Sequence, residues 1–394
     1  MTEARTLDPQ VTPTVRILGT HGVPAAYGGF ETAAEHIGLY LADRGWRVIV
    51  YCQVEGDGPI RTDHWQGLER VQIPESRPGW RGTSSFDLKC VRHAVRDRGP
   101  DDVWLTFGYN TGALNLAPRF RRIPNVVNMD GMEWTRRRWG VVKQGILLGG
   151  ERFAGFLGDV IIADHPEIAT YLRRHFGKKR VVTIAYGAHA VDNAPIEPLA
   201  ALGLTTGEFA TVICRPIPEN SLEEIVTAWS RSPRGIPLVV LGNFDESDAY
   251  HRRVLAAASD EVVFPGAIYD QSIVRSLRFH SRLYVHGHTV GGTNPSLVEA
   301  MAASNAVVAH RNKYNTWVAG EGARYFDDVD SLAATLDVVV DDVDTLRSMQ
   351  RRSRERFEAE FTWSHIGDQY EQALLQAMAR RSKHTTAERQ VTPS

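Results

Sequence analysis

The sequence predicts an α/β protein made of two tandem doubly wound domains, and three observations predict it. Short apolar runs alternate with amphipathic helical patterns along nearly the whole chain, the signature of βαβ units on a parallel sheet. The series restarts after a stretch of small and turn residues, Tyr-Gly-Ala-His-Ala-Val-Asp-Asn-Ala-Pro at 186–195, which reads as an interdomain linker. The 394 residues suffice for two domains, each with its own core.

Taken in order, residues 1–13 read as a disordered tail. The first domain covers 14–190. It opens with a buried strand at 15–18, a Gly-rich loop, and a helix at about 31–44 whose Ala34, Ile37, Gly38 and Leu41 fall at i, i+3, i+4 and i+7. Gly45 suits the position just past that helix. Further strands are expected at 48–51, 103–106, 126–129, 160–163 and 181–184. The second domain covers 196–361, with strands at 210–214, 238–241, 262–265, 283–286 and 306–309, and helices notably at 221–230 and 295–303. A last helix at 362–380 is placed so that it can cross back onto the first domain, and 381–394 reads as a second disordered tail.

Composition narrows the function. A hydrophobic share of 43% with 23% charged residues is that of a soluble globular protein, and a formal net charge of -2 gives no field that would favour nucleic acid. The three cysteines, Cys52, Cys90 and Cys214, form no CxxC pair and no zinc spacing, so they read as buried thiols of a reducing, cytoplasmic compartment. The N-terminus lacks the apolar core of a signal peptide, and no apolar run approaches the roughly 20 residues needed to span a bilayer. Work at a membrane would be done from its surface.

Four segments carry chemistry. The first runs from His286 to Met301, His-Gly-His-Thr-Val-Gly-Gly-Thr-Asn-Pro-Ser-Leu-Val-Glu-Ala-Met. A strand end is followed by Gly291 and Gly292, then Thr293 or Asn294 as a helix cap, then Pro295 in the first turn. Free backbone N–H groups and the helix dipole make such a loop a phosphate site. Glu299, one turn in, is placed to accept hydrogen bonds from ribose hydroxyls. The second segment, from Gly19 to Glu31, joins the first strand to the first helix; ligands of doubly wound sheets bind beyond strand carboxyl ends. Its Gly28 and Gly29 open a helix, and Glu31 either caps that helix or touches a sugar hydroxyl. The third, Cys214-Arg-Pro-Ile-Pro-Glu-Asn-Ser221, puts Arg215 at a strand end where a guanidinium can hold a diphosphate, with Asn220 or Ser221 capping the next helix.

The fourth runs from Asn128 to Trp139 and places Asp130 and Glu133 at a strand end, suited to a sugar or a catalytic proton. Its Arg136–138 run, with Trp134 and Trp139, is a basic, aromatic patch of the kind that reaches lipid phosphates. Asp-Val-Asp occurs at 328–330 and 342–344. Both lie far beyond the phosphate segments in acidic stretches, so they read as solvated surface and no metal is expected.

These motifs resemble the retaining glycosyltransferases of family 4, which have the GT-B fold, and more narrowly their bacterial rhamnosyltransferase branch. The matching text is Gly22-Val-Pro-Ala-Ala-Tyr-Gly-Gly-Phe-Glu-Thr32, Asp130-Gly-Met-Glu-Trp134, Ile162-Ala-Asp164, Arg215 with Pro218-Glu-Asn220, and Gly-Gly-Thr-Asn-Pro-Ser-Leu-Val-Glu299. The resemblance implies two Rossmann-like domains facing a central cleft. A nucleotide-sugar donor would be held mainly by the second and a glycan acceptor mainly by the first.

On the donor side it implies Gly28, Gly29, Arg215 and Asn220, with Pro265, Gly266 and Ile268 cradling the base. The backbone of Gly292, Thr293 and Asn294 would take the diphosphate, and Glu299 the ribose. Tyr27, Phe30, Glu31, Glu133 and Trp134 would serve the acceptor, and Asp130 would lie near the reacting sugar. The negative charge of the leaving nucleoside diphosphate would be met by Arg215, a helix N-terminus and His286 or His288. The family usually carries a Glu where this chain has Gly291 and a Lys where it has Asn220-Ser221; the missing Lys leaves more of the phosphate charge to Arg215 or His288.

The resulting expectation is a retaining transferase with no cofactor or metal, moving L-rhamnose from dTDP-rhamnose to a cell-surface polysaccharide or lipid-linked glycan. It would work in the cytoplasm or peripherally on the inner face of the membrane. Two alternatives share the architecture: a GT-B epimerase or phosphorylase, and a non-catalytic glycan-binding protein. A dinucleotide oxidoreductase lacks its GxGxxG.

Overall fold

The structure, a computed structural model, describes residues 12–390 apart from Tyr27, Asp130 and 136–139, and leaves the side chains at 135 and 382–390 undescribed. The chain divides into two compact units, Met1–Ala185 with Trp363–Ser394, and Tyr186–Thr362.

The first unit is built on β1 (Thr14–Leu18), α1 (Gly29–Asp43), β2 (Arg47–Glu55), β3 (Arg61–Trp65), β4 (Leu68–Glu75), α2 (Gly79–Arg96) and β5 (Asp102–Phe107). It continues through α3 (Leu116–Phe120), β6 (Asn125–Asn128), α4 (Val141–Leu157), β7 (Val160–Ala163), α5 (Pro166–Phe176) and β8 (Val181–Thr183). The sheet order is β3-β4-β2-β1-β5-β6-β7-β8, parallel except for β3. Val15 lies opposite Val48 on one side and Val103 on the other. All five residues of β1 are buried, as a strand covered by helices on both faces requires. The chain leaves β1 in one direction through β2 and in the other through β5, so the topology switches between β1 and β5.

In the second unit follow α6 (Glu197–Ala201), β9 (Ala210–Ile213), α7 (Leu222–Trp229), β10 (Leu238–Leu241), α8 (Ala249–Ala256), β11 (Val262–Gly266) and α9 (Gln271–His280). Then come β12 (Leu283–His286), α10 (Pro295–Ala302), β13 (Ala306–His310), α11 (Lys313–Ala319), β14 (Arg324–Phe326), α12 (Val329–Val339) and α13 (Val343–Glu360). The order β11-β10-β9-β12-β13-β14 is wholly parallel and switches between β9 and β12. Val240 joins the core of Ile225, Trp229, Leu332 and Leu336 on one face. Val239 and Leu241 join Leu199, Phe209 and Leu277 on the other.

The last helix, α14 (Trp363–Gln390), belongs to the first unit. Tyr370 receives a hydrogen bond from Asn128 at 2.7 Å, and Glu371 accepts from the indole of Trp46 at 2.9 Å and pairs with Arg44. The tail expected to be disordered from 381 is helical to Gln390, because no glycine or proline interrupts 368–392. The β3–β4 hairpin and β14 are additions to the expected strands. Gln66 and Gly67 both have positive φ, +47° and +85°, as a tight hairpin turn demands.

Candidate functional site

In a doubly wound sheet the loops that diverge at the switch point leave a crevice beyond the strand ends. In the second unit those loops follow β9 and β12, and they are sewn together. A Cβ on Gly287 would stand 2.3 Å from the Asn220 carbonyl oxygen, so only glycine permits this approach. Thr289 gives both its backbone N–H (2.9 Å) and its hydroxyl (3.0 Å) to the Glu219 carbonyl. Asn312 and Asn315 then hold the His288 carbonyl at 2.9 and 2.8 Å.

The Arg215 loop is braced from below. Asn220 is buried and donates its amide to the Arg215 carbonyl at 2.7 Å, and the His251 ring meets the Pro216 carbonyl at 2.7 Å. Asn220 therefore acts on the loop's backbone. Neither it nor Ser221 caps α7: Ser221 is left-handed (φ +50°) and makes no cap bond. The phenol oxygen of Tyr250, from α8, accepts from the N–H groups of Leu222 (3.0 Å) and Glu223 (3.4 Å) instead. With its backbone fixed, the Arg215 side chain is exposed and makes no hydrogen bond or ion pair among the described residues.

On the β12 side, Asn294 caps α10 by accepting from the Ser296 N–H at 3.0 Å, with Pro295 in the first turn. Gly291 adopts φ +131° with open space where a side chain would project, and Thr293 is buried. Glu299 is one-third exposed and pairs with Arg278 at 2.6 Å, a nearly buried cation that also donates to Ser296 Oγ. Ser296 Oγ donates in turn to the Ile213 carbonyl at 2.9 Å, which ties α10 to the end of β9. Nothing in the sequence singles out Arg278, whose place in the last turn of α9 suggests only a dipole contact.

His286 is fully buried, stacked on His288 at 4.4 Å with the rings 9° apart, and its ring nitrogens have no partner among the described residues. Burial, with the neighbouring His288 and His310, holds it far below the usual imidazole range, so it stays neutral. This removes His286 from the candidate cations and leaves Arg215 and His288.

Pro265, Gly266 and Ile268 lie at the carboxyl end of β11 on the same sheet edge. The Gly242 N–H reaches the Gly266 carbonyl at 3.2 Å, and Gly242 itself sits against Cys214 and Pro216. One edge thus carries Pro265 to Ile268, Arg215, His288 and Gly292 to Glu299. The two Asp-Val-Asp segments lie elsewhere, with Asp328 and Asp342 spent as the N-caps of α12 and α13.

In the first unit the loop after β1 starts at Gly19 (φ +82°), where a Cβ would meet the Phe107 carbonyl oxygen at 2.1 Å. Two carboxylates of α1 pin that loop: Glu31 accepts from the His21 N–H at 2.8 Å and Glu35 from the Ala25 N–H at 2.6 Å. Glu31 is buried and caps no helix; its work is to shape the loop. Gly28 and Gly29 begin α1, and Phe30 lies against Phe107 at 5.4 Å. Tyr27, Asp130, Arg136–138 and Trp139 lie outside the described residues. Glu133 donates its N–H to the Tyr109 hydroxyl at 2.8 Å, and Trp134 spends its indole N–H on buried Glu151 at 2.8 Å.

At this switch point a cavity of about 20 Å³, lined by Gly19, Asp87, Trp104, Gly108 and Thr111, is large enough for one water. Burial lifts the Asp87 carboxyl to about 6, against the Thr111 hydroxyl that donates to it at 2.8 Å and the nearby His21. Asp87, in the middle of α2, carries no motif.

Residues 215–372 match a family described as "Glycosyl transferase-like", and residues 12–189 match a domain of unknown function, DUF1972. No curated protein matches the chain. Among solved structures, the sucrose-phosphate synthase of Thermosynechococcus elongatus superposes with a TM-score of 0.77 at 19% identity, covering 93% of this chain and 100% of that one. Anabaena HepE in complex with UDP gives 0.71 at 14%, over 92% and 99%. An alpha,alpha-trehalose-phosphate synthase (UDP-forming) from Burkholderia xenovorans in complex with glucose-6-phosphate gives 0.67 at 12%, over 92% and 100%. The fold is GT-B, α/β with two parallel-sheet Rossmann-like domains. The second unit carries a glycosyl transferase-like domain, and the chain is a transferase enzyme.

Proposed function

We propose that this enzyme transfers a sugar from a nucleoside-diphosphate donor to a glycan acceptor without a metal, with retention at the anomeric carbon. The observation that carries the reading is the exposed Arg215, unpaired among the described residues, on a clamped loop at the same sheet edge as the capped start of α10. As the sugar–phosphate bond breaks, negative charge gathers on the diphosphate. A preset guanidinium and free N–H groups at a helix start meet that charge without reorganising. Glu299, already oriented by Arg278, is placed for ribose hydroxyls, and the Pro265–Ile268 backbone for the base. Solved structures of the same fold hold UDP and a sugar phosphate, which supports a nucleotide-sugar donor and a sugar acceptor. Asp130, after β6, is assigned to the reacting sugar.

Within that class we favour dTDP-β-L-rhamnose as donor, because the motifs resemble those of the rhamnosyl-type branch. The acceptor is then a lipid-linked or cell-surface glycan, reached from the cytoplasmic face. In each Asp-Val-Asp segment one carboxylate, Asp328 or Asp342, is taken up as a helix N-cap, and turnover is expected to persist in EDTA.

The test is donor consumption by the purified chain with and without acceptor. Arg215→Ala is expected to lower turnover by about 10²–10³, the usual effect of removing one charge-stabilising donor. Normal turnover by that variant would overturn the assignment. Equal donor turnover without acceptor would turn the reading to an epimerase or phosphorylase.

A further inference from the structure

Helix α4 presents to solvent the kind of surface that soluble helices usually bury. Its inward side is closed by Leu147, Glu151, Ala154 and Gly155; Gly155 lies so close under the Phe176 ring that a Cβ would come within 2.3 Å of it. Its outward side carries Val141 at 84% exposure, Val142 at 79%, Ile146 at 62%, Phe153 at 48% and Phe156 at 59%. Val142, Ile146, Gly149, Phe153 and Phe156 follow one another at steps of four and three, so they form a single stripe about 20 Å long. The only acid in α4, Glu151, is buried and accepts from Trp134 and Tyr171.

Cations border the stripe. Lys143 and Arg152 belong to the helix itself. At its C-terminal end Arg180 donates to the carbonyls of Phe156, at 3.1 Å, and Gly158. Burial, and after it Arg380, Arg119 and Arg381, press the Arg180 guanidinium below its usual pKa, partly offset by Asp159. That carboxylate is shared with Arg381 at 3.0 Å. Phe120, 78% exposed, adjoins Arg119, Arg121 and Arg122. Crowded guanidiniums beside an exposed apolar stripe are stabilised together by one kind of partner, a surface apolar in depth and anionic at its boundary. A second copy of the chain fits less well, because a two-fold contact would bring this basic rim against itself.

We infer that α4 is a membrane-docking helix, lying in the plane of an anionic bilayer with Val142, Ile146, Phe153 and Phe156 in the acyl boundary and Arg119, Lys143 and Arg152 at the phosphates. Among the described residues no helix is long and apolar enough to cross a membrane, so the contact is made at the surface. The assignment is independent of donor and acceptor, and differs from the Arg136–138 patch read from the sequence.

Co-sedimentation of the full chain with vesicles tests it. With equimolar phosphatidylglycerol and phosphatidylcholine the protein is expected to pellet, and at least fivefold less with phosphatidylcholine alone or in high salt. The double variant Ile146→Glu, Phe153→Glu changes only exposed positions. It is expected to lose at least tenfold in vesicle binding while keeping the wild-type thermal transition. Phe120→Ser, off the helix, is expected to weaken binding severalfold. Equal partitioning of wild type and double variant would overturn the proposal. So would light scattering that shows a wild-type dimer, broken by the double variant, with no vesicle binding. Vesicle binding is read without turnover, so its failure leaves the sugar-transfer reading untouched.

Discussion

Arg278 and Asp87 illustrate what a single residue contributes when its partners lie far along the chain. Arg278 turns Glu299 from a solvated carboxylate into an oriented one. Asp87 is the reverse case, a carboxyl that the fold prefers uncharged. Its folded pKa of about 6 lies above that of an unfolded chain, so the folded state binds the proton more tightly. Stability from this group is therefore full below about pH 4, falls as pH rises to about 6, and is gone above that. Asp87→Asn cannot ionise and can still accept from Thr111. It is expected to be about 1–3 kcal/mol more stable than wild type at pH 7 and to remove that slope. Urea midpoints of both chains between pH 4 and 7 check this; parallel profiles would refute it. Asn294, expected from the sequence as a cap, bonds within its own loop, and Gly291 and Arg215 stand in loops that the sequence marks by local pattern. Arg278, Asp87 and Glu151 act across elements, and local pattern does not mark them.

Secondary elements were legible where their signals are local. The strands at 160–163 and 238–241 coincide with continuous apolar runs, and Gly45, at φ +86°, ends α1 as its place in the sequence indicates. The β3–β4 hairpin escaped because Arg-Thr-Asp-His-Trp on an edge strand has no apolar alternation, and Gln66 is an unusual residue for its turn. The start of α7 shows the same limit: two plausible cap residues stand there, and Tyr250 from another helix does the work. Tyr250→Phe leaves two helix N–H groups without their acceptor and is expected to cost about 1–2 kcal/mol. The same change loosens the loop that carries Arg215. Thermal melts and donor KM check both effects; an unchanged melting temperature would mean that water replaces the phenol.

At the scale of the whole molecule, the sequence suggests a linker at 186–195 and a last helix that crosses back onto the first domain, and the chain divides at Ala185 and Trp363. The two strand orders and their switch points were not legible, because they are set by pairings between segments far apart in the chain. The sheet of the first unit is covered in part by α14, whose Tyr370 and Glu371 reach Asn128 and Trp46. A chain ending at Ala185 is expected to show no cooperative melt by circular dichroism. The outgoing and returning segments pair at Ala188 and Thr362, so a short Gly/Ser linker replacing 186–362 closes the gap. That chain is expected to melt cooperatively, and a cooperative melt of the shorter fragment would show α14 to be dispensable.

Trp46 sets a timetable for biosynthesis. A ribosome adds roughly 5–20 residues per second, so this indole waits on the order of tens of seconds between its own synthesis and the arrival of Glu371. During that interval the second unit can mature while the first still shows an apolar flank. The nascent chain is then most open to chaperones, and to mispairing with neighbours on a polysome, well after most of the first sheet has been made.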